Sequence, residues 1–345
     1  MKNLNRLIIL VASLFVFVSC DHTVSMETTV DENGKLDKAI TFQNKDSAKN
    51  ILGISGKSGW VRTVNTEASE KKGKDTKWSI TWRKSFASAV EANTELAVPS
   101  DTLFRVTSTF EKKFRWFYTY LYYADTYHAI NRMKMPIENF VTQEDYSFID
   151  RLPAEGKEIS KSDNLYLAQL NTKLFDVYGT RAIYEEYYDL HAQLISDKKL
   201  ETRWLDTLLT HKESIFEKFN ADKNIGDDYF LQTMDSVQIP LPYGEMKDEY
   251  TAILKPWTSR MNFISTANDG KYAHRINMPW TVVRTNADSV VDNQLFWKPP
   301  VVKFLIKDYT MFGEARQLNV WAIAGSVVLV GLTVFVFMRK RAQKY

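Results

Sequence analysis

Five histidines are the first residues to test for metal or acid–base chemistry: His22, His128, His191, His211 and His274. None forms a His-x-x-x-His or Glu-x-x-His pair. Glu185, Glu186 and His191 share a predicted helix, but a separation of five or six residues puts the carboxylates and the imidazole on different faces. No metal site is expected, and no cofactor. The run Asp222–Asp228 has the composition of a calcium loop, yet it places Gly226 fifth and Thr233 twelfth in a frame that requires Gly sixth and Glu twelfth. No Gly-x-Ser-x-Gly elbow or phosphate-binding glycine loop occurs. No catalytic residue is therefore assigned. Dispersed carboxylates that meet in space would still allow acid–base hydrolysis. A second candidate chemistry is binding. Trp116, Tyr118, Tyr120 and Tyr122 recur at period two, with Phe117 and Leu121 on the opposite face. These four are the candidate ligand-binding residues, lining an aromatic cleft for an apolar or sugar ligand. The same pattern also fits a strand packed between a core and a helix layer.

Cys20 is the sole cysteine, so the chain can form no internal disulfide. It follows a secretory-signal layout: Lys2 and Arg6, then an apolar run from Leu7 to Val18. About a dozen residues span roughly 18 Å as a helix, too short for a bilayer core. The run 1–19 is read as a cleaved signal peptide. Phe17-Val18-Ser19-Cys20 resembles the lipobox of bacterial lipoproteins, with Phe17 where Leu is usual, which implies lipidation at Cys20.

At the other end, Val320–Met338 carries no charged residue, and Arg339, Lys340, Arg341 and Lys344 follow. The expectation is a transmembrane helix over 320–338 and a cytoplasmic tail over 339–345, by the positive-inside rule. Trp321 falls at the outer edge, where amphipathic rings collect. Gly325, Ser326 and Gly331 would admit a second helix closely. Together the two ends predict a bacterial inner-membrane protein with most of its chain in the periplasm. Of the 45 Lys and Arg, six lie in the terminal segments, and the remainder are outnumbered by 42 Asp and Glu. There is no basic excess to neutralise phosphates, so no nucleic-acid partner is expected.

The elements that would position these residues change period twice. Val24, Met26, Thr28 and Val30 alternate, Asn33-Gly34 marks a hairpin, and Leu36, Ile40 and Phe42 line the return strand. Asp46–Leu52 suggests a short helix, and Ser85 a cap for a helix over 86–97. Two long antiparallel strands are predicted around Phe104–Phe110 and Phe114–Tyr122. From 160 to 265 the period is helical, with a start at Ser162 or Asp163 and further helices near 204–219, 227–237 and 245–264. Strands return at 276–283, 294–297 and 301–309. Lone late strands need partners, and the first sheet is the simplest. The predicted fold is α+β: an antiparallel sheet domain from 20–135 and 270–316, a helical insertion at 160–265, and the C-terminal span.

The pattern Thr28-Thr29-Val30, Asn33-Gly34 and Ile40-Thr41-Phe42, with His274–Pro279, Leu295-Phe296-Trp297 and a strand before the span, resembles uncharacterised bacterial LppM-like lipoproteins. Those pair a lipidated cysteine with a C-terminal membrane helix. Trp280 stands where Gly often follows the proline. The resemblance implies an α+β domain beside the membrane, with lipid-like ligands, and carries no catalytic residue. The expected function is a non-enzymatic envelope lipoprotein that binds a lipid, a glycan or a protein partner. An envelope hydrolase and an accessory subunit of a membrane complex are the alternatives.

Overall fold

The computed structural model describes residues 22–44, 51–67, 77–197, 202–222 and 243–343. The signal peptide, Cys20, most of the short helix expected at 46–52 and the one at 227–237 lie outside them. The chain is mixed α and β, with one apolar C-terminal helix.

The first hairpin joins β1 (Thr23–Val30) to β2 (Leu36–Asn44). The Asp31 carboxylate accepts the amides of Asn33 and Lys35, both at 2.8 Å. Gly34 adopts φ +90°, and a Cβ there would meet the Phe110 ring at 2.8 Å. Glycine is thus required twice, by backbone and by space. β3 (Val61–Glu67) and β4 (Lys77–Phe86) extend the sheet. Phe86 is still strand, so Ser88 rather than Ser85 caps α1 (Ala89–Leu96), accepting from Glu91 N. β5 (Val106–Arg115) and β6 (Tyr118–Tyr127) form a long hairpin turned by only two residues.

The helical block follows α2 (Gln143–Arg151), whose Thr142 and Asp145 form a reciprocal capping box. α3 (Lys161–Asn171) starts at the Ser160 cap, passes into a π-helical stretch at Thr172–Gly179, and continues as α4 (Thr180–Asp197). α5 (Thr202–Thr210), α6 (Lys212–Asp222) and the long α7 (Tyr243–Asn268) complete the block. Its own core joins Tyr184, Ile195, Leu208, Ile215, Phe219 and Tyr250.

Late strands then return: β7 (Lys271–Asn277), β8 (Thr281–Thr285), β9 (Ser289–Val291), β10 (Gln294–Trp297) and β11 (Tyr309–Leu318). Two sheets result, in the orders β3-β4-β2-β1-β7-β10-β9 and β5-β6-β11-β8. This corrects the expectation of one antiparallel sheet, because β7 runs parallel to β1. A long helical excursion between them supplies the crossover that parallel strands need. The strand expected over 276–283 is split: Met278-Pro279-Trp280 breaks it, and β8 joins the other sheet. The strand expected over 301–309 is a 3₁₀ turn at Val301–Phe304, entered from Pro300, whose fixed φ suits a helical start.

The sheets face one another. Val24, Met26, Leu36, Ile40 and Ile276 from the first pack with Val106, Leu121, Tyr123, Met311 and Ala315 from the second. β11 leads through one residue, Asn319, into α8 (Val320–Ala342), which is long and apolar enough to cross a membrane. Val327, Phe335 and Phe337 on it are exposed.

Candidate functional site

Each strand that contributes to the shared core turns alternate residues inward, and three of those inward positions are titratable. Lys38 follows Leu36 and precedes Ile40 on β2. Asp125 stands between Tyr123 and Tyr127 on β6, and His274 between Tyr272 and Ile276 on β7. All three side chains are fully buried. Lys38 Nζ lies 2.9 Å and 3.0 Å from the two Asp125 oxygens, and also donates to Thr28 Oγ1 and Tyr123 OH at 3.0 Å. Ser108 Oγ and Tyr123 OH donate to Asp125 Oδ1 at 2.6 Å and 2.8 Å. His274 Nε2 is 3.1 Å from Asp125 Oδ2, out of line for a hydrogen bond, while Nδ1 meets Tyr127 OH at 3.2 Å.

Burial alone would raise the Asp125 carboxyl, but Lys38 and the surrounding donors hold it well below the usual carboxylate range. Burial lowers Lys38 and His274 against the pull of Asp125. The group is therefore an ion pair with a neutral imidazole. Phe104, Tyr272 and Phe304 close around Tyr127 in edge and stacked contacts that keep water out. This network has the residue types of an acid–base site but no open face. Its chemistry is to bolt the two sheets together.

A second interior place is open. An apolar cavity of about 80 Å³ lies at the seam between the helical block and the sheet domain. Leu174, Phe175, Tyr178 and Gly179 wall it from the π-helical stretch, Met261, Ile264, Ser265 and Asn268 from α7, and Leu305 and Ile306 from the turn before β11. Gly179 fits closely in the π stretch: a Cβ there would sit 3.2 Å from Leu174 O. Tyr178 OH is fixed by Asn131 Nδ2 and Met135 O, both at 2.9 Å. Inserted π turns are frequent at functional sites because they displace side chains from the regular helix face.

Polar atoms at this seam are left without partners. Asn268 Oδ1, on the cavity wall, is buried and unpaired. Nε and Nη2 of Arg132 and Nε of Arg260 are also buried and unpaired, but neither arginine lines the cavity. Glu186 is buried and takes the other side of Arg260, together with Lys134 N at 2.6 Å. Desolvation, with Arg105 nearby, lowers the Arg132 guanidinium to about 10. Unpaired buried donors are rare in folded proteins, because each forfeits its bond to water.

The sequence-predicted aromatic residues lie elsewhere. Trp116 is at the tip of the β5–β6 hairpin and exposed, while Tyr118, Tyr120 and Tyr122 are half-buried on the outer face of the second sheet. Arg316 covers Tyr118, Arg115 covers Tyr120, and Phe312 stacks on Tyr122. His191 is buried, with Nδ1 2.6 Å from Tyr187 O and Nε2 3.1 Å from Tyr250 OH. Glu185 instead pairs with Arg181 and Lys212. Among the described residues, no group of three or more His, Cys, Asp and Glu is placed to hold a metal.

Sequence reasoning missed both interior places. Lys38, Asp125 and His274 carried a readable signal, each being a charge in phase with an apolar alternation. The cavity carried none, because its walls come from four separated stretches of chain. No protein-family model, no curated protein and no solved structure matches the chain.

Proposed function

We propose that this protein is a membrane-anchored lipoprotein of the bacterial envelope that binds a lipid-like amphiphile at the seam between its sheet domain and its helical block. The observation that carries this reading is the seam cavity. Its wall is apolar, formed by aliphatic, aromatic and methionine side chains, and on that wall the buried Asn268 Oδ1 lacks a partner. Ligand sites are typically apolar hollows with a few convergent polar groups. An apolar segment would fill the hollow, and a hydroxyl- or amine-bearing head would donate to Asn268 Oδ1. An engineered apolar cavity of about 150 Å³ takes up benzene, so a space of this order accepts a short stretch of chain and not a whole acyl tail.

In this reading the signal peptide exports the chain, Cys20 is lipidated, the sheet and helical parts lie in the periplasm, and the tail after α8 is cytoplasmic. The resemblance to LppM-like lipoproteins belongs to the same proposal. Non-enzymatic binding is preferred to hydrolysis because Asp125, the most shifted carboxylate, is sealed behind aromatic rings.

Native mass spectrometry of the full-length protein, extracted from membranes in mild detergent, tests the reading. A co-purifying amphiphile at unit stoichiometry is expected. Ser265→Phe, which fills the cavity from α7, should release it without unfolding the protein. A ligand retained at full occupancy by this variant would move the site elsewhere.

A further inference from the structure

The β5–β6 hairpin reaches past the end of its sheet and lies along α8. Phe114 stacks on Trp321 with ring centroids 5.7 Å apart, and Trp116 meets the same ring edge-on at 5.9 Å. Trp116 Nε1 donates to Ser326 Oγ at 2.9 Å. Ser326 is six residues beyond the helix start at Val320, or roughly 9 Å along the axis at 1.5 Å per residue. The tip therefore stands beside the apolar helix and not above it. Phe114, Trp116 and Phe117 are 54%, 47% and 47% exposed. A two-residue turn ordinarily takes Gly or Asn where φ is positive, yet this one holds Trp116 at φ +22°. Strain of this kind persists where surrounding contacts impose it.

The strand register grades the surface with distance from the helix. The row nearest α8 aligns Arg115, Tyr118 and Leu318. Two residues further along, roughly 7 Å at the strand rise, lie Lys113, Tyr120 and Arg316. Only the next row, Glu111, Tyr122 and Glu314, brings carboxylates. On this face the order from tip to sheet is the exposed turn aromatics Trp116 and Phe117, then tyrosine with basic residues, then mixed charge, while Phe114 lies one residue behind Arg115, in the Thr119 row, against Trp321. The bilayer interface has the same order: hydrocarbon edge, aromatic belt with anionic headgroups, then water.

We infer that the β5–β6 hairpin is a second membrane contact, a wedge whose Phe114, Trp116 and Phe117 enter the hydrocarbon edge of the leaflet while Arg115 and Arg316 engage anionic phospholipid headgroups. The inference rests on α8 being a membrane span, and is independent of the seam cavity.

The test places a photoreactive benzoylphenylalanine in the full-length chain, in separate variants, at Phe117, at Val328 in the middle of α8, and at Val61, exposed on the far sheet. Each is reconstituted into phosphatidylcholine vesicles and into vesicles of equal parts phosphatidylcholine and phosphatidylglycerol. Peptides are then searched by mass for phospholipid adducts. Adducts are expected at positions 117 and 328 and not at 61. At 117 the phosphatidylglycerol adducts should exceed their share of the mixture, and that excess should vanish with Arg115→Gln and Arg316→Gln together. Adducts at 328 without any at 117 would overturn the wedge and leave the span intact. Absence at both positions would overturn the span and the wedge with it. A 117 adduct without headgroup preference would overturn the anionic contact.

Discussion

The interior of the sheet domain and the seam beside it both bury polar groups, but they treat them in opposite ways. Between the sheets, the Asp125 carboxylate is met by Lys38, Ser108, Thr28 and Tyr123. At the seam, Asn268 on the cavity wall keeps a buried oxygen without a partner. A satisfied network fixes one arrangement of the strands that bear it. An unsatisfied one raises the energy of the empty state and so favours whatever completes it. The difference separates a part whose carboxylate is fully met from a part that leaves a buried polar atom unmet.

The strongest way to break that comparison is to remove Asp125. Asp125→Ala leaves the Lys38 ammonium buried and unpaired, and a loss of about 3–5 kcal/mol is expected, read as a lowered Tm in detergent micelles. Lys38→Met with Asp125→Leu should recover most of that loss, since a buried pair contributes little over apolar packing. A double variant no more stable than the single would show that the network does more than hold.

Acid should act next. His191 is held at about 3 by burial, and His274 is also lowered, whereas both titrate near 6.5 when unfolded. Below about pH 6.5 the unfolded chain binds more protons, so stability is full above that value and declines as pH falls toward the folded pKa. His191 alone should cost about 2 kcal/mol by about pH 5, and His274 adds to the loss in the same direction. Melting curves from neutral to mildly acidic pH check this, and His191→Leu should flatten the slope. Asp125 adds a further loss only below the ordinary carboxylate range.

Smaller effects sharpen the other side. Asn268→Leu removes an acceptor that has no partner, so stability should be unchanged or rise by about 1 kcal/mol while ligand retention falls. A clear drop in Tm would mean that Asn268 is already satisfied. Gly179→Ala should lower stability by under about 1 kcal/mol. In a regular helix the same change is stabilising by about that amount, so the sign reports whether the π stretch needs its glycine.

How far this was legible in the sequence follows the same division. Strand alternation in 24–42 and 114–122, helical period in 160–265 and the apolar run at 320–338 are local, and the mixed α+β class and the apolar helix were readable from them, although the turn between Arg115 and Tyr118 falls inside the second expected strand. Lys38 and Asp125 were readable in phase with the apolar alternation but were not singled out, and His274 was tested only for metal and acid–base spacing, because the three lie on separate strands whose meeting leaves no local mark. The parallel pairing of β1 with β7 was not readable, since hydrogen-bond direction leaves no mark on a short alternating run. Nor was the cavity, which exists only where residues 131, 174, 264 and 305 meet. Gly179 reads from sequence as a weak point in a helix, and only the i–5 contact with Leu174 O gives it a reason.

Asn319 joins strand to helix in a single residue, and its side chain spans the joint. Nδ2 donates to Trp116 O and Oδ1 accepts from Thr119 Oγ1, while its backbone amide reaches Phe117 O. The connection behaves as a welded bracket and not as a swivel. The three bonds tie the start of α8 to the β5–β6 hairpin, so a tilt of the helix pulls on the sheet. In the proposed setting, with α8 across a bilayer, the bearing of the seam would follow the tilt of one helix, and lipid thickness, which influences that tilt, would become a handle on which way the cavity faces.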